Sequence, residues 1–172
     1  MKRRLSFRLG LIVSMLALLV CESYGQGPST SQDALPCDLL KLDSLVGTVS
    51  LSLGSDTVVR KAMPCLLGLW QQHKNLGSGQ FYVSNAFLAV MQENPTVFFS
   101  VMANEGRIFS EWLDELQDLS FTWSGPPPCG KEAKRQRLIS LLQHHPIQNS
   151  TASALKNRMI SKLSTIRCRQ IN

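Results

Sequence analysis

The fold is decided by two consecutive segments, Asn94-Pro95-Thr96-Val97-Phe98-Phe99-Ser100-Val101-Met102 and Asn104-Glu105-Gly106-Arg107-Ile108-Phe109-Ser110-Glu111-Trp112. Each segment opens with asparagine, whose side chain often caps the first turn of a helix. Apolar residues then recur at intervals of three and four positions, which predicts two short helices. Proline suits the first turn of the first helix, because its missing N–H would have no partner there.

A third helix is predicted immediately before these two, from Gln80 to Glu93, where Phe81 and the apolar residues after it keep the helical interval. Four of the seven phenylalanines and one of the three tryptophans lie between Phe87 and Trp112. We therefore expect this stretch to supply the hydrophobic core. An aromatic ligand pocket built from the same side chains is the alternative.

The first 25 residues have the pattern of a secretory signal peptide. Four basic residues precede an apolar run of about twelve residues, Leu9 to Val20, which is too short to span a bilayer. Small residues in Ser23-Tyr24-Gly25 suit a cleavage site. We predict cleavage after Gly25 and a soluble protein in an extracytoplasmic space, either secreted or periplasmic. Acylation of Cys21, as in a lipoprotein, is the alternative, although no small residue precedes that cysteine.

Residues 26–36 are rich in Pro, Ser, Thr and Gln, and are predicted to form a flexible leader. Residues 37–172 have a length that suits a single helical domain. The expected fold class is all-α, an irregular bundle or a small helical-repeat-like stack of about five or six short helices with two disulfides. The Ser, Thr and Val residues leading to Leu53 are equally compatible with a strand. Pro64 should kink or split the second helix, and the last helix is predicted from Ser150 to Gln170.

Cleavage would leave four cysteines, Cys37, Cys65, Cys129 and Cys168. An even number in an oxidising compartment predicts two disulfides, for which three pairings are possible. We favour Cys37–Cys65 and Cys129–Cys168, because neighbours in sequence close the smaller loops. Residues 120–130 contain three consecutive prolines and are predicted to cross the surface in a polyproline-like conformation. The wide cysteine spacing predicts neither a zinc site nor a redox-active Cys-x-x-Cys pair.

Charge is divided unevenly along the chain. Cleavage would remove four of the 18 basic and one of the 12 acidic residues, which leaves a net charge of +3. Residues 26–130 hold ten acidic and five basic residues, whereas the chain from residue 131 onward holds nine basic residues and one acidic residue. This segregation indicates either self-docking or an anionic partner. The candidate partner-binding residues are Lys131, Lys134, Arg135, Arg158, Lys162 and Arg169.

Four carboxylates form an acidic stripe at helical spacing. They are Glu111, Asp114, Glu115 and Asp118. A stripe on one helix is typical of a solvated face, whereas the carboxylate pair of a glycosidase stands across a cleft. We expect the stripe to face the basic C-terminal helices in part, which would leave a residual basic surface.

No motif for nucleophilic catalysis, phosphate binding or zinc proteolysis occurs in the chain. His144 and His145 are adjacent, so on a helix they point about 100° apart and cannot share one metal ion. No metal or cofactor is therefore predicted. Asn149-Ser150-Thr151 matches a glycosylation site in a predicted turn, which matters only in a eukaryotic source.

The leading hypothesis is an exported, soluble, non-enzymatic helical module that binds a protein or an anionic partner, such as a polysaccharide, a lipid surface or an acidic protein. Nucleic acid is not expected, because no aromatic platform is interleaved with the basic residues. No transmembrane segment is predicted, and the oligomeric state stays open. One alternative is a cytokine- or hormone-like helical signal, with Lys134-Arg135 as a processing site. The other is a hydrolase that uses the acidic stripe.

Overall fold

The computed structural model describes residues 37–124 and 130–171, except the side chains of residues 123, 124, 170 and 171. A 3-10 turn at Leu39–Lys41 is followed by α1 (Leu42–Leu51), α2 (Asp56–His73), α3 (Ser78–Glu93), α4 (Pro95–Met102), α5 (Gly106–Ser120), β1 (Thr122–Ser124), α6 (Lys131–His144), α7 (Ser150–Thr165) and β2 (Arg169–Ile171). The predicted helical class is confirmed, with bundle-like packing. The described residues form seven α-helices and not five or six, and they add one pair of short strands.

Helix α3 lies at the centre of the bundle, packed against α1, α2, α4 and α5. Its buried residues are Gly79, Gln80, Val83, Ser84, Ala86, Phe87, Leu88, Val90 and Met91. Helices on several sides cover α3, so its apolar residues spread beyond a single stripe. The stretch that was predicted to supply the core therefore forms its centre.

The aromatic residues of the predicted core pack against one another. The ring of Trp112 lies 5.3 Å from Phe87, 5.8 Å from Phe98 and 6.0 Å from Phe109, each pair edge-on. All four rings are fully buried. Edge-to-face pairs add about 0.5–1.5 kcal/mol each beyond the burial of apolar area. These rings therefore stabilise the fold by packing and do not form the alternative ligand pocket.

A short chain of hydrogen bonds runs through this core. The indole Nε1 of Trp112 donates to Ser84 Oγ at 2.9 Å. Ser84 Oγ in turn lies 2.8 Å from Ser120 Oγ, at the end of α5. Ser84 and Ser120 are both buried, and their mutual bond satisfies hydroxyls that would otherwise lose water without compensation.

The two predicted asparagine caps have different outcomes. Asn94 caps α4 as predicted, since its Oδ1 accepts a hydrogen bond from the backbone N–H of Val97 at 3.0 Å. The predicted cap at Asn104 is wrong, because Glu105 takes the N-cap position of α5 and makes no side-chain cap bond. The backbone N–H groups of Asn104 and Glu105 bond back to carbonyls in the last turn of α4. This tight turn delays the start of α5.

Pro64 does not split the second helix. Helix α2 continues from Asp56 to His73 with Pro64 inside it. Proline removes one donor, so the carbonyl of Arg60 loses its helical partner. Arg60 and Pro64 are both exposed, so water can satisfy that carbonyl. Buried apolar residues on the other faces of α2 hold the helix together across this defect.

The predicted last helix is too long. Helix α7 ends at Thr165, and Ile166 adopts an extended backbone while its side chain stays buried. The chain then forms β2, which pairs in parallel with β1, with Thr122 opposite Arg169. Pairing with a strand about 47 positions earlier replaces the last helical turn, and a local pattern cannot anticipate such a contact.

The first predicted disulfide is confirmed. Cys37 and Cys65 are joined with their Cα atoms 5.2 Å apart, which ties the chain before α1 to the middle of α2. Cys129 lies outside the described residues, so the Cys129–Cys168 bridge stays a prediction. The polyproline-like crossing predicted for residues 120–130 is wrong at its start, because Ser120 ends α5 and residues 122–124 form β1, and it stays a prediction for residues 125–129. The signal peptide and the leader also lie outside the described part of the chain.

The alternative strand leading to Leu53 is wrong, because α1 is helical to Leu51 and Gly54 then takes a φ of +67°.

Gly47 and Gly54 should respond in opposite ways to replacement by alanine. A Cβ at Gly54 would lie 2.5 Å from the carbonyl oxygen of Glu93. Gly54→Ala should therefore lower the free energy of unfolding by about 2 kcal/mol or more. Gly47→Ala should raise it by about 1 kcal/mol, since Gly47 is inside α1 with open space around it.

Urea unfolding of the two variants beside the parent protein measures both changes. Equal stability of the Gly54→Ala variant and the parent would contradict the close approach of the α1–α2 turn to Glu93. A loss of stability in Gly47→Ala would contradict the placement of Gly47 in a helix interior.

Candidate functional site

A surface groove of about 320 Å³ lies between α1, α3 and α6. We call it the lysine groove. Its lining residues are Leu42, Asp43, Val46, Phe81, Tyr82, Asn85, Ala86, Ala89, Ser120, Lys131 and Lys134. The volume lies at the small end of the range for small-molecule sites, about 300–1,000 Å³. Such sites combine an apolar wall with a few polar groups, as this groove does.

One wall of the lysine groove is aromatic. Phe81 and Tyr82 are 40% and 55% exposed, and their rings pack edge-on with centroids 5.7 Å apart. Phe81 was expected to face the core with the other apolar residues of its helix, and the structure corrects this. The first turns of α3 instead leave both rings on the surface. The aromatic pair thus offers apolar area that the described residues do not bury.

Lys131 reaches across to the aromatic wall from α6. Its Nζ lies 5.7 Å from the centre of the Phe81 ring, within the range of a cation–π contact. The same ammonium donates a hydrogen bond to the backbone carbonyl of Thr122. These contacts hold one positive charge at the edge of the groove.

Lys134 lies one turn further along α6 and is half-buried. Within the part of the chain that the structure describes, it makes neither a hydrogen bond nor an ion pair. Burial away from water, with a smaller effect from the charge of Lys131, lowers the pKa of Lys134. The positive end of the helix dipole also disfavours cations in this first turn.

Glu132, in the same turn, is engaged elsewhere. Arg135 donates hydrogen bonds to both of its carboxylate oxygens. These bonds, followed by one from Gln136, lower the pKa of Glu132 to about 2. Because Glu132 accepts hydrogen bonds from Arg135 and Gln136, its negative charge offsets the charge of Arg135 more than the charges of Lys131 and Lys134. The acidic residue in the groove lining is Asp43, which is exposed at the α1 rim. The two lysines therefore give the groove a positive charge.

The predicted acidic stripe lies on α5, away from this groove. Glu111 pairs with Lys74 at 4.0 Å and with Arg107 at 3.7 Å. Glu115 accepts a hydrogen bond from Gln80, whereas Asp114 and Asp118 are exposed. None of the four lines the lysine groove or the second groove reported below.

Helix α7 places two of the candidate basic residues against α5. Arg158 donates to Ser110 Oγ at 3.3 Å and lies 5.7 Å from the centre of the Phe109 ring. Lys162 donates to the backbone carbonyl of Asp114 at 3.3 Å. The basic helix therefore lies beside the acidic one, but its contacts go to a hydroxyl, a ring and a carbonyl and not to the carboxylates.

Arg135 links the last two helices. Its Nη1 donates to the backbone carbonyl of Leu163 at 2.6 Å, in addition to the pair with Glu132. Arg169 is exposed at the start of β2. Of the six candidate basic residues, Lys131 and Lys134 are the two that line the groove. Lys134-Arg135 lies inside a helix, whereas proteolytic nicking favours exposed loop tips, and its processing stays a prediction.

Asn149 has a structural role that the sequence pattern did not indicate. Its Oδ1 accepts a hydrogen bond from the backbone N–H of Ala152 at 2.9 Å and caps α7. Serine and threonine follow it, so a cap position and a glycosylation motif coincide at one exposed residue. Glycosylation there stays a prediction.

A second groove, of about 410 Å³, lies between α2, α4 and α5. It is lined by Arg60, Pro64, Leu67, Gly68, Gln71, Ser100, Val101, Asn104, Glu105 and Ile108. Arg60 and Glu105 supply one charge of each sign. This groove therefore shows no preference for an anion or a cation.

The described residues contain no group of three or more His, Cys, Asp and Glu side chains placed to hold a metal ion. Across residues 37–124 and 130–171, no helix has the length and apolar content needed to cross a bilayer. No family model, curated protein or solved structure matches this chain.

Proposed function

We propose that this chain is an exported helical module that acts by binding an anionic partner at the lysine groove, without a catalytic step of its own. One observation carries the proposal: Lys131 and Lys134 lie one turn apart on the groove wall, while Glu132 is paired with Arg135. Like charges at this spacing on a helix repel each other. An anion bound between the two ammonium groups would relieve that repulsion.

Location outside the cytoplasm is part of the same proposal. The signal-peptide pattern of residues 1–25 supports it, and so does the Cys37–Cys65 bridge, since disulfides persist mainly in oxidising compartments. The hydrolase alternative has less support, because the acidic stripe borders neither groove. No described feature favours the cytokine- or hormone-like alternative over a binding module.

Two double variants with the same change of net charge test the anionic partner. Lys131→Gln with Lys134→Gln should elute from an anionic resin at clearly lower salt and should keep most of its thermal stability. The variant Arg158→Gln with Lys162→Gln should need higher salt for elution than the groove variant. It should melt at a lower temperature than the parent, with a loss of about 1 kcal/mol in the free energy of unfolding, because these side chains contact α5. Elution salt and melting temperature are the two measurements.

The comparison separates a local site from bulk charge. Equal losses of retention in the two double variants would show that the resin responds to net charge only. Unchanged retention in the groove variant would refute the lysine groove as the site of anion binding.

A further inference from the structure

Both lysines of the lysine groove come from α6. Ser120, at the end of α5, lines the groove together with Lys131 and Lys134. Ser120 is 1% exposed, and its partner Ser84 links it to the indole of Trp112. The core therefore fixes the position of this hydroxyl. The rest of the groove lining is mostly apolar and includes Leu42 and Val46 of α1 and Phe81 of α3.

Volume and charge limit what the groove can hold. A space of about 320 Å³ suits a small molecule. Two neighbouring ammonium groups, each a compact positive charge, suit one compact anionic group. Asp43 at the α1 rim would repel further negative charge along the length of the groove. A single acidic head on an apolar body therefore fits better than a polyanion.

We propose that the lysine groove binds a small amphiphilic carboxylate, with its head between Lys131 and Lys134 and its apolar body along Phe81 and Leu42. This inference rests on the proposed anion-binding function and names its ligand class. The exposed aromatic area of Phe81 and Tyr82 becomes covered when the body binds. Lys134, which has no bonded partner within the described residues, gains one.

Three probes dissect the head and the body of such a ligand. Decanoate has both parts, acetate has only the head, and 1-decanol has the body with a neutral head. Isothermal titration below the micelle concentration of decanoate should give decanoate a dissociation constant at least tenfold lower than that of either other probe. Backbone amide shifts on binding should concentrate in α1, the start of α3 and the first turn of α6.

Matched variants locate the site. Lys134→Met removes the charge and keeps an apolar stem, and Ala89→Leu fills the groove from a half-buried position on α3. Each should weaken decanoate binding at least tenfold. Arg137→Met removes one charge from an exposed position of the same helix outside the groove lining, and should leave binding unchanged. Melting curves confirm that each variant is folded.

The outcomes separate this inference from the function on which it rests. Equal binding of acetate and decanoate, lost in Lys134→Met, would preserve the anion-binding function and overturn the amphiphile. Failure of every anion to bind would overturn both. Equal weakening by Arg137→Met would show non-specific attraction and overturn the site. Binding to phosphatidylglycerol vesicles, with no binding of monomeric decanoate, would replace the small ligand by a lipid surface.

Discussion

Replacement of Trp112 by alanine should lower the free energy of unfolding by about 3–5 kcal/mol. Trp112 is fully buried and contacts the rings of Phe87, Phe98 and Phe109, so its removal leaves a cavity among large, rigid side chains. Ser84 also loses the indole donor in a place that water does not reach. The free energy of unfolding of a small domain is about 5–15 kcal/mol, so this one change removes a large fraction of the stability.

Two further variants isolate the parts of this effect. Trp112→Phe keeps an aromatic ring and loses the indole N–H, so it should cost clearly less than alanine. Tyr82→Ala truncates an aromatic side chain that is 55% exposed and should change stability by about 0.5 kcal/mol or less. Urea unfolding measures all three. Similar losses for Trp112→Ala and Tyr82→Ala would contradict the placement of Trp112 at the centre of the core.

Loss of the Cys37–Cys65 bridge should lower the free energy of unfolding by about 3–4 kcal/mol. The two cysteines are 28 positions apart, so the bridge closes a loop that greatly restricts the unfolded chain. Cys37 is exposed whereas Cys65 is buried in α2, so Cys37→Ser removes the bridge with little change to packing. Unfolding curves of this variant and the oxidised parent give the difference.

Peptide mapping without reductant checks the connectivity itself. A fragment that joins Cys37 to Cys65 is expected, and a fragment that joins Cys65 to Cys129 would contradict the pairing. The double variant Cys37→Ser with Cys65→Ala serves as a control for packing. It should lose about as much stability as Cys37→Ser alone, because the main effect lies in the unfolded state.

Local patterns predicted the helices and most of the core. Apolar residues at intervals of three and four mark α3, α4 and α5, and the density of aromatic residues between Phe87 and Trp112 marks the centre. Asn94 caps its helix as expected because a cap depends on a few neighbouring backbone atoms. The Cys37–Cys65 pairing could also be predicted from the sequence, because four cysteines allow few pairings and neighbours in sequence close the smaller loops.

Features that depend on distant contacts were missed. The end of α7 is set by pairing with β1, and α2 passes Pro64 because buried neighbours hold it in place. Lys131 and Lys134 were named from charge alone, within a set of six basic residues. These two lysines differ from the other four because they line a groove together with Phe81 and Tyr82 of α3. A sequence pattern cannot show which side of α3 stays uncovered.

The pairing of β1 with β2 has a consequence for how the chain opens. Among the residues that the structure describes, the two strands pair over three positions, and about 47 residues separate them. Closing so long a loop has an entropic cost that the pairing of three residues offsets only in part. This contact should therefore form only after α6 and α7 have docked. In native-state hydrogen exchange, the backbone amides of this pair should therefore lose protection early, whereas those of α3 should exchange only through global unfolding.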